Sequence, residues 1–165
     1  MIPSSACPPW PSDQPGPAGE RGDHIAAVTP RGGTRSLDSF EGMKKTSQSD
    51  RHREGDFSDT SLESVRSFVG DQPFIRYIKG WIPDTFSEIQ NNRFCFVHID
   101  LDLYQGIIDC LEFTYPRLSP GGMIVLDDYG YASCPGARQA VEEFFKTKPE
   151  KPLALSTAQA LIVKL

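Results

Sequence analysis

Four aspartates follow two apolar segments of the chain, at the point where each segment ends. Asp100 and Asp102 come after one segment, and Asp127 and Asp128 come after the next. Four carboxylates held close together repel one another, and either raised pKa values or a bound cation relieves that repulsion. Carboxylate oxygens with no cysteine or histidine nearby favour a hard ion, Mg²⁺ or Ca²⁺, over zinc. The acids therefore predict a divalent metal site; the alternative is a set of solvated acids at strand ends.

The two apolar segments have the pattern of strands buried on both faces of a parallel sheet. Residues 94–99 are apolar apart from His98, and residues 123–126 are apolar throughout. Between them, apolar residues at helical spacing predict a helix that ends at residues 119–122. A strand, helix and strand joined by short links form a parallel pair, so all four acids should lie at the ligand-binding edge of the sheet. We expect His98 to be a buried, hydrogen-bonded residue one layer below that edge.

Strands and helices alternate along the chain from Leu37 onward, which predicts an α/β domain over residues 37–165. A short strand begins at Leu37, and the polar residues 41–56 are expected to form a mobile loop. Thr60 and Glu63 form a capping-box pattern that opens a helix. The other predicted elements are a strand at 74–78, a helix around 137–145, and an antiparallel pair at 153–155 and 160–165.

Residues 1–36 have a different composition. They contain seven prolines and five glycines, and their one apolar run is residues 25–28. Such a segment buries too little apolar surface to offset the entropy lost on ordering. We therefore expect a disordered leader over residues 1–36, followed by the domain.

Charge and composition narrow the classes of partner. The chain has 17 Lys and Arg against 22 Asp and Glu, a net charge of −5, which argues against nucleic acids and anionic membranes as partners. No apolar run approaches the roughly 20 residues that cross a bilayer. The four cysteines lie far apart and prolines interrupt the first residues, which predicts a reducing compartment without a secretion signal. We expect a cytoplasmic protein.

Several short motifs occur in an order that resembles one known family. They are Asp38-Ser-Phe-Glu-Gly42, Gly55-Asp-Phe57, Ser61-Leu-Glu63, Lys79-Gly-Trp81-Ile-Pro-Asp84, Asp100-Leu-Asp102-Leu-Tyr104, Tyr115-Pro-Arg-Leu-Ser-Pro-Gly121-Gly122 and Val125-Leu-Asp127-Asp128-Tyr129. This ordered set resembles the macrocin O-methyltransferase family, which includes the novobiocin and mycinamicin sugar methyltransferases, over residues 37–165. One of these motifs alone would be weak evidence for the family, but the whole series in this order is specific to it.

The resemblance implies a Rossmann-like class I methyltransferase, an α/β fold with helices on both faces of the sheet. It also implies S-adenosylmethionine and Mg²⁺ as cofactors and a sugar hydroxyl of a glycosylated small molecule as acceptor. The metal ligands would be Asp100, Asp127 and Asp128, and Asp102 would be the general base. The implied cofactor residues are Asp38 at the ribose, Ser39 and Phe40 beside the adenosine, Gly80 and Trp81 near the adenine, and Asp100.

Some of these residues have a second interpretation. Asp38 is also typical of a turn or helix cap, and Trp81 is also typical of a core or lid aromatic. Tyr104 and Tyr129 would either line the acceptor pocket or pack within the domain.

The chain departs from the family before Leu37. Family members have a first strand, a glycine-containing turn and a helix there, and this chain has only residues 25–28 and the Gly32-Gly33 pair. The gap in the sheet would close by re-pairing of the other strands, or by insertion of residues 25–28. Two alternatives to an active methyltransferase stay open: a truncated, inactive methyltransferase-like fragment, which the missing unit favours, and a haloacid-dehalogenase-like phosphatase, a class in which similar aspartate motifs occur.

Overall fold

The computed structural model describes residues 24–30, 32–43 and 50–165. Its strands are β1 His24–Val28, β2 Thr34–Asp38, β3 Ile75–Lys79, β4 Phe94–Asp100, β5 Leu118–Leu126, β6 Leu153–Ala154 and β7 Ala160–Val163. Its helices are α1 Leu62–Val69, α2 Tyr104–Thr114 and α3 Pro135–Phe145, and 3₁₀ segments span Asp84–Ile89 and Tyr115–Arg117. The strands form one mixed sheet in the order β3-β2-β1-β4-β5-β7-β6.

The strand directions bring several chain ends to one edge of this sheet. β2 pairs with β3, and β4 with β5, in parallel, whereas β1 runs antiparallel to both β2 and β4. The carboxyl ends of β2 to β5 therefore lie together, and we call this side the carboxyl edge. As predicted, β6 and β7 form an antiparallel pair, and β7 pairs antiparallel with β5.

The structure differs from the predicted leader within residues 24–36. β1 lies inside that segment and β2 crosses its boundary at Leu37, while residues 1–23 lie outside the described residues. β1 is short, but neighbours on both sides satisfy its backbone, and Ile25 and Ala27 are 1% and 0% exposed. Backbone pairing and side-chain burial thus stabilise β1, although the composition of residues 1–36 predicted disorder. Residues 25–28 fill the gap in the sheet, so the gap closes by insertion.

The main core lies between one face of the sheet and helices α2 and α3. Side chains alternate between the two faces of each strand, so Ile25, Leu37, Val97 and Ile124 all point into this core. At its base the rings of Phe86 and Phe113 stack with centroids 4.2 Å apart. This packing fixes the strands whose ends carry the four aspartates.

The opposite face of the sheet faces α1 across a cavity of about 290 Å³. α1 has no buried residue, and Phe68 remains 55% exposed. Its capping box starts one residue later than predicted, because Ser61 accepts from the backbone N–H of Ser64 at 3.1 Å. The helices thus lie on both faces of the sheet, as expected, but α1 leaves an open cavity beneath it.

Two further boundaries differ from the sequence prediction. α2 ends at Thr114 rather than near residue 119, because Pro116 lacks an N–H and the chain turns into a 3₁₀ segment there. β5 consequently begins at Leu118. None of the helices in the described ranges is long and apolar enough to cross a membrane.

The polar connection over residues 41–56 has no regular structure where it is described, and residues 44–49 lie outside the described part. Its second half is held against the domain. The backbone N–H of Met43 donates to the carbonyl of Asp56 at 2.8 Å, and Asp50 accepts from the backbone N–H of Tyr104 at 3.0 Å. Asp50 thereby binds the first turn of α2 and places the following residues beside the carboxyl edge.

Candidate functional site

Three of the four predicted aspartates meet at the carboxyl edge. Asp100 ends β4, and Asp127 and Asp128 directly follow β5. One carboxylate oxygen from each lies within 4.8 Å of the others. The parallel pairing of β4 with β5 brings them together, as the sequence predicted.

Burial and mutual repulsion make the carboxyl groups of Asp100 and Asp128 hard to ionise. Desolvation, followed by the charges of Asp128 and Asp127, raises the pKa of Asp100 to about 9. Desolvation, followed by the charge of Asp102, raises the pKa of Asp128 to about 7. A divalent cation would favour the ionised carboxylates and remove this penalty.

Two histidines flank the acid cluster on the same face of the sheet. His98 Nε2 lies 3.6 Å from Asp127 Oδ1, and desolvation followed by the charge of His24 lowers the pKa of His98. His98 is thus half-buried beside an acid, close to its expected role. His24 Nδ1 lies 3.5 Å from Asp100 Oδ2, because antiparallel β1 begins at the carboxyl edge.

Asp102, the expected base, lies just beyond β4 in a left-handed backbone conformation with φ of 53°. Its backbone N–H donates to Asp128 Oδ2 at 3.2 Å. Its Oδ1 accepts from the thiol of Cys134 at 3.0 Å and lies 3.8 Å from His52 Nε2. A non-glycine residue held at positive φ stores strain of the kind found at functional sites.

Sequence reasoning missed three residues at this edge: His24, His52 and Cys134. The expectation that no cysteine or histidine lies near the acids is wrong. His52 and Cys134 are 82 positions apart, so no spacing motif reveals their contact. Desolvation, followed by hydrogen bonding to Asp102, raises the pKa of the Cys134 thiol to about 12, so the group is a protonated donor rather than a nucleophile.

The residues predicted to bind the cofactor do not all lie in one place. Asp38 and Phe40 line the cavity under α1, and burial raises the pKa of Asp38. Asp38 Oδ1 accepts from the backbone N–H of Phe40, and Ser39 Oγ donates to the carbonyl of Gly42, so both side chains also stabilise their own turn. The hydrogen bond of Asp38 thus supports the interpretation of this residue as a turn aspartate.

Gly80 and Trp81 follow β3 at the same edge but do not line the cavity. The backbone N–H of Gly80 donates to the carbonyl of Asp38 at 2.9 Å, and a Cβ at Gly80 would meet Thr85 Cγ2 at 2.8 Å. Close packing thus accounts for this glycine. Trp81 is partly exposed, so its burial is intermediate between that of a core aromatic and that of a lid aromatic, the two alternatives predicted for it.

The two tyrosines near the acids both bond to α3. Tyr104 donates to Glu143 at 2.6 Å, and Tyr129 donates to Glu142 at 3.2 Å. These contacts favour packing within the domain over lining an acceptor pocket.

The donor set fits a hard divalent cation, because three carboxylates converge and a cation would offset the penalty on ionisation that raises the pKa of Asp100 to about 9 and that of Asp128 to about 7. For a nucleoside cofactor, Asp38 beside a cavity of about 290 Å³ fits the ribose end. The Gly32-Gly33 pair follows β1 at the opposite edge of the sheet, since β1 is antiparallel, so it does not serve the methionine end.

The chain matches the family model described as macrocin-O-methyltransferase (TylF) over residues 31–154. It is 35% identical over 121 residues to 8-demethyl-8-(2,3-dimethoxy-alpha-L-rhamnosyl)-tetracenomycin-C 4'-O-methyltransferase of Streptomyces olivaceus, covering 65% of this chain and 44% of that protein. It is 33% identical over 123 residues to mycinamicin III 3''-O-methyltransferase of Micromonospora griseorubida, covering 65% and 46%.

Solved structures agree with this match. The O-methyltransferase NovP aligns with a TM-score of 0.62 at 25% identity, over 78% of this chain and 58% of that one. The calicheamicin methyltransferase CalS11 aligns with a TM-score of 0.61 at 20% identity, over 77% and 58%, which shows a shared fold. The chain spans less than half the length of the two sequence relatives described above. Because the family model covers most of the chain, from the hairpin before β2 to the end of β6, this protein belongs to the macrocin O-methyltransferase (TylF) family.

Proposed function

We propose that the chain transfers a methyl group from S-adenosylmethionine to a sugar hydroxyl of a glycosylated small molecule, assisted by Mg²⁺. The single observation that carries the proposal is the convergence of Asp100, Asp127 and Asp128 beside Asp102, in a chain of this family. The names of the relatives give the acceptor class, because the two described above methylate sugar-bearing natural products. Family membership removes the phosphatase hypothesis.

Each residue has a defined task in this proposal. Asp100, Asp127 and Asp128 would hold the cation, and Asp38 would accept hydrogen bonds from the ribose hydroxyls. When bound, the two cofactors supply a sulfonium methyl group and a Lewis acid that lowers the pKa of the acceptor hydroxyl. Asp102 takes the proton from that hydroxyl, and its anchored backbone holds the carboxylate at the carboxyl edge.

The protonated thiol of Cys134 contacts Asp102, the proposed base. It donates a hydrogen bond to Asp102 Oδ1 and so holds that carboxylate oxygen in place. The Asp102 side chain is 13% exposed, which limits competition from water without closing the site to an acceptor. Positioning of the two reactants would supply most of the remaining acceleration.

A second hypothesis is a folded chain that binds metal without turnover. The specific observation is His24, which lies beside Asp100 at the edge where family members are expected to carry a glycine turn. An imidazole there would meet the methionine end of a bound cofactor.

Calorimetric titration with S-adenosylhomocysteine, with and without Mg²⁺, tests the proposal on the full chain. We expect micromolar binding, followed by transfer of labelled methyl to a panel of deoxysugar glycosides. Asp102→Asn should keep cofactor and metal binding and lose transfer, whereas Asp127→Asn should lose the Mg²⁺ effect. Absence of binding by a cooperatively folded chain would refute the proposal and support the second hypothesis.

A further inference from the structure

A second group of potential metal ligands lies beside the three aspartates and has a different chemical character. It combines the sulfur of Cys134, the Nε2 of His52 and the Oδ1 of Asp102. The distances are 3.6 Å from Cys134 Sγ to His52 Nε2, 3.8 Å from His52 Nε2 to Asp102 Oδ1, and 3.0 Å from Cys134 Sγ to Asp102 Oδ1. Tetrahedral zinc bonds to sulfur, nitrogen and oxygen place such ligand atoms about 3.3 to 3.6 Å apart. The three atoms are therefore close to metal-binding spacing as they stand.

The surroundings orient each of these ligands. His52 Nδ1 lies 3.6 Å from Asp56 Oδ2, and a carboxylate on the outer ring nitrogen is the usual partner of a metal-binding histidine. Asp102 is anchored through its backbone bond to Asp128, and Cys134 through its backbone N–H to the carbonyl of Tyr131 at 3.1 Å. The three potential ligand atoms face one another because separate contacts hold the backbones of Asp102 and Cys134 and the other ring nitrogen of His52.

Two metal-free roles for the cluster fit its geometry less well. A Cys–His pair would provide a nucleophile only if the imidazole took the thiol proton, whereas Cys134 directs its thiol to Asp102 at the shorter distance. A purely structural hydrogen bond between thiol and carboxylate would not account for the alignment of His52 with Asp56.

The geometry points to a binding site for a thiophilic divalent cation of the Zn²⁺ class, formed by His52, Asp102 and Cys134 and separate from the three-aspartate site. Binding of the cation displaces the Cys134 thiol proton to solvent, so that the resulting thiolate and the Asp102 carboxylate neutralise the two charges of the ion, and the His52 imidazole completes three protein ligands. The side chains of His52 and Asp102 are 20% and 13% exposed, so the site is not fully enclosed. Such a site keeps a place for water or another oxygen ligand.

The site has a consequence for activity that rests on the proposed function. Asp102 is the base of that proposal, and a cation bound to a carboxylate disfavours protonation of that carboxylate, so it weakens Asp102 as a proton acceptor. Zn²⁺ therefore inhibits methyl transfer at this site, whereas Mg²⁺ supports it at the neighbouring oxygen-only site.

Titration of the metal-free full chain with Co²⁺, an optical substitute for Zn²⁺, tests the binding site without any methyl donor or acceptor. We expect one equivalent of Co²⁺ to produce thiolate-to-cobalt charge-transfer absorption, which Zn²⁺ abolishes and excess Mg²⁺ leaves in place. Because the readout is optical, its outcome is independent of whether the chain transfers methyl groups.

Matched variants assign the ligands. Cys134→Ser should remove the absorption, and His52→Ala should weaken Co²⁺ binding at least about 100-fold, while the outer variant Asp56→Asn should weaken it about 10-fold and keep the band. Cys95→Ser and Asp127→Asn are controls that should retain it. Should Cys134→Ser fail to fold by circular dichroism, the His52→Ala and Asp56→Asn pair decides. Lack of the band in the unmodified chain, or its survival in folded Cys134→Ser, would overturn the proposal.

Discussion

Replacing Asp100 with asparagine should stabilise the metal-free protein at neutral and alkaline pH. The pKa of Asp100 is raised to about 9 in the folded chain, from 3.8 when unperturbed, mainly by desolvation and then by the charges of Asp128 and Asp127. Between pH 5 and pH 8 the folded chain therefore keeps this carboxyl protonated, whereas the unfolded chain ionises it. The unmodified chain therefore binds one proton at this position when it folds, whereas the Asp100→Asn variant does not.

The size of the effect follows from this proton. A group whose folded pKa is raised contributes stability that is fully present below the unfolded pKa and is lost as pH rises through the folded pKa, here from about 4 to about 9. One proton taken up on folding lowers the free energy of unfolding by about 1.4 kcal/mol per pH unit. Over three units the advantage of Asp100→Asn over the unmodified chain should grow by up to about 4 kcal/mol.

Urea denaturation at pH 5, 6, 7 and 8, followed by far-ultraviolet circular dichroism, measures this difference. Groups that do not interact with Asp100 cancel when the two curves are subtracted, whereas Asp128, which interacts with Asp100 and has a pKa of about 7, contributes to the difference within this window. Asp59→Asn, on an exposed loop, should run parallel to the unmodified chain. Saturating Mg²⁺ should flatten the slope of the unmodified chain, since the cation keeps the carboxylates ionised. Parallel curves for Asp100→Asn and the unmodified chain would refute the argument.

Three further predictions concern the scaffold of the site. Phe94→Ala should lower the free energy of unfolding by about 3 to 5 kcal/mol in urea denaturation, since Phe94 is 0% exposed and starts β4. Glu150→Gln should cost about 1 to 3 kcal/mol at pH 7, because Glu150 accepts from Tyr115 at 2.6 Å and from the Leu165 backbone at 3.1 Å. Desolvation raises the pKa of Glu150, but these hydrogen bonds and the charge of Lys164 outweigh it and lower the pKa to about 2. The stability that ionised Glu150 contributes should therefore be lost from the unmodified chain as pH falls from about 4.5 to 2. The Glu150→Gln variant should show no such loss. Gly42→Ala should destabilise by about 1 to 3 kcal/mol in thermal melting, because Gly42 has φ of +83° and a Cβ there would meet the Asp56 carbonyl at 2.7 Å.

The sequence determined that three aspartates meet at the carboxyl edge. Acids placed directly after two apolar runs, with a helix between them, are sufficient to bring Asp100, Asp127 and Asp128 together, since the connection is local and parallel. The ordered motifs are likewise sufficient to identify the family. Both inferences depend on short-range patterns that the chain carries in order.

Only the tertiary structure decided how the middle of the sheet is filled. Residues 25–28 have a weak local pattern, and their order comes from pairing with β2 on one side and β4 on the other. The antiparallel direction of β1 places His24 beside Asp100 and sends the glycine pair to the far edge. Strand direction depends on these distant partners, so no local pattern specifies it.

The tertiary structure also decided the surroundings of Asp102. His52 reaches it because Asp50 is hydrogen-bonded to the start of α2, and Cys134 reaches it because α3 packs beside that helix. These residues come from three separate parts of the chain, and their shared position is a result of helix packing and loop docking. Local sequence specifies which groups a strand end carries, whereas long-range packing specifies which other groups those carboxylates meet.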